Sequence, residues 1–277
     1  MATSDRTVLV VTGGHSVDLA AFGEMLDAAC ADWAAWEHAV HPDARRLLVA
    51  DNVGRWDAIL LHDIAGLELR RGSEPVVQSV ADDVRDGLVG MLTTGQGIVV
   101  THHSLASWPA WDGWAHAVGG RFLYAPGRLN GVAYPASGYR IGSHTLDVVD
   151  PAHPVCNGLP GTFELDDEIY WCPVFDDEIT PLLASRAELR RELFTDAYTA
   201  VIGSEASLAI DHPPSSRTVA WAKSAGRSPL VYLQPGHGPA TFANRNYRIL
   251  VANALRWVAS PSAHLWAQAH PTSVAGR

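Results

Sequence analysis

The chain of 277 residues reads as an α/β protein built on a doubly wound, mostly parallel sheet with an elaborated middle region. Three observations carry that reading. Short apolar runs recur at Thr7–Thr12, which is rich in β-branched residues, at Trp56–His62 and at Ile98–Thr101. None shows the polar alternation of a strand with one wet face, so both faces are expected to be buried. Segments with helical apolar spacing lie between the runs, and strands alternating with helices become parallel neighbours.

The elements follow in order. Thr7–Thr12 ends in Gly13-Gly14, and Ser16 is positioned to cap a helix in which Leu19, Phe22, Met25, Leu26 and Ala29 recur. Trp56–His62 is a second strand, with Asp63 just past its end. From Val76 to Leu92 the stripe Val77, Val80, Val84, Leu88 and Met91 predicts a helix, which Gly95 and Gly97 stop. Ile98–Thr101 is a third strand, and Ser107–Val118 is expected to be helical up to Gly119-Gly120. From 121 to 217 the segments shorten and Gly, Pro and Asp become frequent. Tyr139–Val149, Phe163–Tyr170 and Leu182–Ala184 are expected to be antiparallel additions to the sheet. Thr218–Ala222 and Leu230–Leu233 return to short strands, Gln234–Gly238 is a turn, and Asn246–Val258 is an amphipathic helix. Residues 1–277 are read as one domain, with 121–217 as its elaboration and 261–277 as a tail whose last residues are expected to be mobile.

Composition narrows the function. Hydrophobic residues make up 47% and charged residues 18%, as in ordinary globular domains. The net charge is −10 with no Lys/Arg run, which argues against nucleic acid and anionic membranes as partners. Val8–Val11 is too short for a signal-peptide core or a membrane span. Cys30, Cys156 and Cys172 are odd in number and far apart, so a reducing, cytoplasmic location is expected. The spacings G-x-G-x-x-G and G-x-x-x-x-G-K-[ST] are absent, so no nucleotide cofactor is expected.

In doubly wound sheets ligands bind beyond the carboxyl ends of the strands. Those ends carry Gly13-Gly14-His15, His62-Asp63, His102-His103-Ser104 and Gly236-His237. A lone histidine in a turn is as often a structural hydrogen-bonding group as a ligand, but convergence from four strand ends favours a site. Neighbours on a strand face opposite ways, so one of His102 and His103 is expected in the cleft, and His103 is favoured. Ser104 has no G-x-S-x-G elbow around it, which argues against serine hydrolase chemistry. Asp166-Asp167-Glu168 can supply acid–base carboxylates or metal ligands, although acidic runs are more often solvated loops. Trp108, Trp111 and Trp114 have the spacing of a core face; Trp108 is also a candidate sugar platform. Arg121 and Tyr124 follow Gly119-Gly120 and are candidates for the cleft wall, with surface packing as the plainer reading.

The ordered set Val10-Val-Thr-Gly-Gly-His-Ser16, Trp56–Asp63, Gly95–Trp111, Gly119-Gly-Arg-Phe122, His153–Leu159, Phe163–Tyr170 and Pro235-Gly-His237 resembles the ThuA-like (trehalose utilisation) family through nearly the whole chain. The resemblance implies a flavodoxin-like sheet similar to class I glutamine amidotransferases. Where those enzymes place a cysteine at the elbow after a central strand, this chain has Thr101-His-His-Ser104, which puts thiolate chemistry in doubt; His237 falls where their catalytic histidine is expected. Ser16-Val17-Asp18 departs from relatives that carry a further histidine there. The resemblance also implies sugar metabolism, particularly of disaccharides oxidised to 3-keto forms, and metal binding in some members.

The expected activity is therefore on a keto-sugar or 3-keto-glycoside. A base removes the proton beside the carbonyl, and elimination, isomerisation or glycoside cleavage follows. His103 and His237 are the expected central pair, with Glu168 or Asp167 as carboxylate partner. His15, His103 and His237 are candidate ligands for Zn, Mn, Fe or Ni. His62, Asp63, Trp108, Arg121 and Tyr124 are candidate substrate contacts. A metal-dependent hydrolase and a non-catalytic sugar-binding or regulatory protein stand as alternatives. A small carbohydrate is the expected partner, and a homodimer is compatible with the fold.

Overall fold

A computed structural model describes residues 5–274, and in it the first apolar run forms β1 (Thr7–Gly13). The following helix, α1 (Leu19–Cys30), is capped by Asp18 and not by Ser16: Asp18 Oδ1 accepts the N–H groups of Ala20 and Ala21 at 3.1 and 3.0 Å. β2 (Ala35–Val40) is an edge strand the apolar pattern did not reveal, because most of its side chains face solvent. β3 (Ala58–Asp63) is buried throughout. β4 (Leu67–Glu68) and β5 (Val76–Val77) pair as a small hairpin. The predicted helix over 76–92 therefore starts later, as α2 (Asp82–Thr94), with Asp82 and Asp83 in the first turn, where the helix dipole favours negative charge.

β6 (Ile98–Thr101) leads through a short 3₁₀ turn to α3 (Asp112–Val118). The helix expected from Ser107 is shortened because Trp108 has φ +51° and Pro109 follows it. The middle region holds β7 (Gly127–Leu129), β8 (Val132–Tyr134), β9 (Gly138–Val148), β10 (Thr162–Trp171), β11 (Thr180–Ser185), β12 (Thr195–Asp196) and α4 (Ala197–Val201). β13 (Thr218–Ala225), β14 (Ser228–Leu233), α5 (Pro239–Ala243) and α6 (Arg245–Val258) follow. Pro261–Ala269, read as tail, forms α7, capped by Ser260; residues 275–277, where mobility was expected, lie outside the described residues.

The main sheet has the order β10-β9-β11-β13-β14-β6-β3-β1-β2, with β12 on β9. β14, β6, β3, β1 and β2 are parallel. Taken in chain order, these five read 2-1-3-4-5, the flavodoxin-like arrangement. Val8, Val10, Ala58, Leu60 and Val99 face α1 and α6, whereas Leu9, Val11, Ile59, Leu61 and Val100 face α2 and α3. That two-sided burial is why these runs carry no polar alternation. Among the described residues, no helix is long and apolar enough to cross a membrane.

The remaining pairings, β14–β13, β13–β11, β11–β9 and β9–β10, are each antiparallel. Four reversals return β10 to the direction of the parallel strands, so its carboxyl end lies with theirs. β11 pairs only with Leu146–Val148 of β9. The other half of β9, Gly138–Ile141 with Glu168–Trp171 of β10, runs on as a ribbon that reaches the strand ends, with β12 paired to Gly138 and Tyr139 on its other edge.

Candidate active site

The site begins where β6 stops. His102 has φ +50°, a left-handed conformation that a non-glycine side chain adopts only when its surroundings hold it. Two anchors do so: the Tyr232 hydroxyl donates to His102 O at 3.1 Å, and His102 Nδ1 lies 2.8 Å from Gln234 O. The strand alternation ends at this turn. Both imidazoles therefore enter the same site, with ring centroids 4.1 Å apart, and the expectation that only His103 does so is corrected. A carbonyl oxygen can only accept, so the His102 proton sits on Nδ1 and the lone pair on Nε2.

The β9–β10 register explains the two carboxylates. Glu168 lies opposite Ile141 and Tyr170 opposite Tyr139, so these four share one face, while Asp167 points to the other. Glu168 Oε2 stands 3.4 Å from His102 Nε2, 3.5 Å from His237 Nδ1 and 4.0 Å from His103 Nε2. It is buried without an aligned hydrogen bond. Burial works to raise its pKa, but polar contact with His102 and His237 outweighs burial and holds the carboxyl at about 2. His103 Nδ1 lies between the hydroxyls of Tyr124 and Tyr170, each at 3.1 Å.

Asp167 has a different task. Its Oδ2 accepts the Gly236 N–H at 2.8 Å, and its Oδ1 accepts the N–H groups of His237 at 3.0 Å and Glu168 at 2.7 Å. It fixes the turn that presents His237, and it is a positioning group rather than the acid or base expected from the sequence. Gly236 is required there: at φ +148° its place for a Cβ lies 3.1 Å from both His102 Cβ and the Tyr247 hydroxyl. His237 is the most open member, 40% exposed, and Glu168 raises its pKa above the ordinary value.

One donor atom from each of His102, His103, Glu168 and His237 falls within 4.8 Å of the others. Donors about 2.0–2.1 Å from one tetrahedral ion would be roughly 3.3 Å apart, close to the shorter distances seen. The residues fit a divalent metal in four further respects. The donor set is imidazole plus carboxylate. His102 gives its other nitrogen to a backbone carbonyl, the usual support of a metal-bound histidine. Glu168 Oε2 is buried and lacks a proton donor in line. Burial also lowers the His103 pKa well below its ordinary value, leaving the neutral imidazole that a metal requires.

A cleft of about 390 Å³ opens from Glu168 and His237. Phe122, Tyr124, Tyr139 and Ile141 wall one part of it, and Leu69, Arg71, Ala200, Val201 and Glu205 line the remainder. Tyr124 thus stands where it was expected.

Other candidates are placed elsewhere. His15 adjoins His103 at 4.6 Å between centroids, but its Nδ1 and Nε2 lie 2.9 and 3.2 Å from the Ser16 and His62 carbonyls, so it is not in the metal-ligand set. His62 backs the site: Nδ1 bonds Thr101 Oγ1 at 2.8 Å and Phe22 stacks on its ring. Asp63, the next residue on the strand, points to the opposite side, into the core near Ser104 and His41. Trp108 is buried in that same core. Arg121 donates to the carbonyls of Pro109 and Trp111 and fixes the loop before α3. Asp63, Trp108 and Arg121 are therefore structural and not substrate contacts. From the sequence His102 is only the less favoured of the pair, and Tyr139 and Tyr170 are not singled out as site members. Only the strand alternation of Tyr139–Val149 and Phe163–Tyr170 foreshadows the two tyrosines, and alternation does not reveal register.

The chain matches the ThuA family, described as trehalose utilisation, over residues 7–258. No curated protein matches it. Among solved structures it is similar to a protein described as ThuA-like from Bacteroides uniformis, with a TM-score of 0.60 and 17% identity over 93% of both chains. A second ThuA-like protein, from Parabacteroides merdae, gives a TM-score of 0.59 and 15% identity over 92% of this chain and 90% of that one. A cytoplasmic protein from Salmonella typhimurium LT2 gives 0.51 and 8% over 91% and 99%. Likeness at these identities concerns the fold. With the family matched from the first strand to the end of α6, the chain belongs to the ThuA family.

Proposed function

We propose that this protein is a carbohydrate-active enzyme that uses a divalent metal and acid–base groups to remove a proton beside a sugar carbonyl, as in a 3-keto-glycoside. The observation that carries the reading is the convergence of His102, His103, Glu168 and His237 at the inner end of an aromatic cleft. His102 Nε2, His103 Nε2 and Glu168 Oε2, all on the buried side, would hold the ion, and His237, the most exposed of the four, would stand beside it toward the cleft. An ion held there supplies an electrophile for a carbonyl oxygen, and hence a more acidic neighbouring C–H.

The chain's own groups divide the rest of the work. His237, seated by Asp167, accepts the proton from carbon. The C–H electron pair moves into the carbonyl as an enolate. Its return expels the substituent on the next carbon as an alkoxide, leaving an enone, or captures a proton to give an isomer. Tyr124 lines the cleft and is hydrogen-bonded to His103 Nδ1, so its phenol is placed to protonate a departing oxygen. Phe122 and Tyr139 exclude water and offer flat faces to a sugar ring.

Incubation of the protein with a 3-keto-glucoside, followed by mass spectrometry in deuterium oxide, tests this. The expected result is deuterium beside the carbonyl or release of the aglycone, reduced by at least about a hundredfold in His237→Ala. Binding without exchange or cleavage would leave a sugar-binding protein instead.

A further inference from the structure

The two ends of the cleft differ chemically. The inner end offers Glu168, His237 and the Tyr124 phenol. The outer part of the lining is Leu69, Ala200 and Val201, with Ile141, opposite Glu168, at its boundary with the inner end, and its charged side chains, Arg71 and Glu205, face each other at 3.9 Å on the exposed rim. Ile141 is 64% exposed although it lies opposite Glu168 in the β9–β10 ladder. An apolar side chain that water reaches inside a cleft gains by meeting an apolar ligand surface.

A second hexose ring in this half would have to give up water from its hydroxyls and find few replacements. A hydroxyl buried without a partner is unfavourable, whereas an apolar ring on Ile141 and Val201 gains from leaving water. We propose that the outer half of the cleft receives an apolar, aromatic aglycone, so that the substrate is a carbonyl-bearing glycoside of an aromatic alcohol rather than a disaccharide. This rests on the carbohydrate reading of the inner site but on none of its chemical steps. In position, Tyr124 and His237 grip the sugar, and the glycosidic oxygen lies at the boundary between the two halves.

Equilibrium binding of unreactive probes separates the two ideas. Phenyl and methyl glucosides of both anomers, and trehalose, are titrated against the intact protein by calorimetry. Phenyl glucoside of one anomer is expected to bind about tenfold or more tighter than its methyl counterpart and than trehalose. Ile141→Asp, at an exposed position where folding tolerates charge, is expected to narrow the phenyl-to-methyl ratio at least about threefold, with an unchanged melting temperature as the control for folding. Equal affinities, tighter trehalose, an unmoved ratio in the variant or no binding of the phenyl probe would each overturn the proposal. A phenyl preference in a protein that never turns over a keto-glycoside would leave this inference standing and remove the catalytic one.

Discussion

Asp167 and Glu168 are neighbours in sequence and opposites in use. Because they alternate across β10, one binds three backbone N–H groups and the other meets three imidazoles. Removing the first should disturb placement and not ligation. Asp167→Ala is expected to lower kcat about 10–100-fold, with partial rescue in Asp167→Asn, while the metal content stays that of the parent. Asp63 offers a separate test. Burial pushes its carboxyl up to about 7, against a contact with the Ser104 hydroxyl that lowers it. A folded-state value above the unfolded one means that the fold favours the protonated form. The charge cost is thus absent at low pH, grows above about pH 4, and is complete above about pH 7. In denaturant titrations, the stability of Asp63→Asn relative to the parent should be about 2.5 kcal/mol greater at pH 8 than at pH 5. A constant difference would show that Asp63 is ionised in the fold throughout.

At the scale of elements, the β9–β10 ribbon does what no single strand signals. Its ends pass beyond β11 and carry Glu168, Tyr170, Tyr139 and Ile141 to the ends of the parallel strands. The central strands were legible because burial on both faces writes itself as continuous apolar runs. The His-bearing turns were legible because they sit at the ends of those runs. The exposed β2 left no such mark, nor did the fold-back of 76–77 into a hairpin, since their side chains are largely solvated. His102 departs from the alternation because strand geometry ends before it, at a φ of +50° that only tertiary contacts sustain. Arg121 and Trp108 lie away from the cleft because closeness to it in sequence says nothing of which side of the sheet a side chain enters. Among the helices, α1 depends on its Asp18 cap. Asp18→Ala is expected to lower stability by about 1 kcal/mol and to leave turnover at the parent level; a loss of activity would tie α1 to the site more closely than its cap suggests.

For the whole molecule, the flavodoxin-like order gathers the turns after β1, β3, β6 and β14 at one end, and four reversals bring β10 back to join them. The fold thereby places two histidines from the β6 turn, one from the β14 turn and one carboxylate from β10 around a single point. Family membership accounts for the scaffold and points toward sugar metabolism; the metal and the reaction are claims about this chain's own side chains. The most direct test is elemental analysis of tag-free protein, as purified and after incubation with Zn, Mn, Fe and Ni in turn. About one ion per chain is expected, lost in His102→Ala and Glu168→Gln and retained in His237→Ala. Failure to bind any of the four ions, or equal binding in His102→Ala and the parent, would rule out a metal centre at these residues.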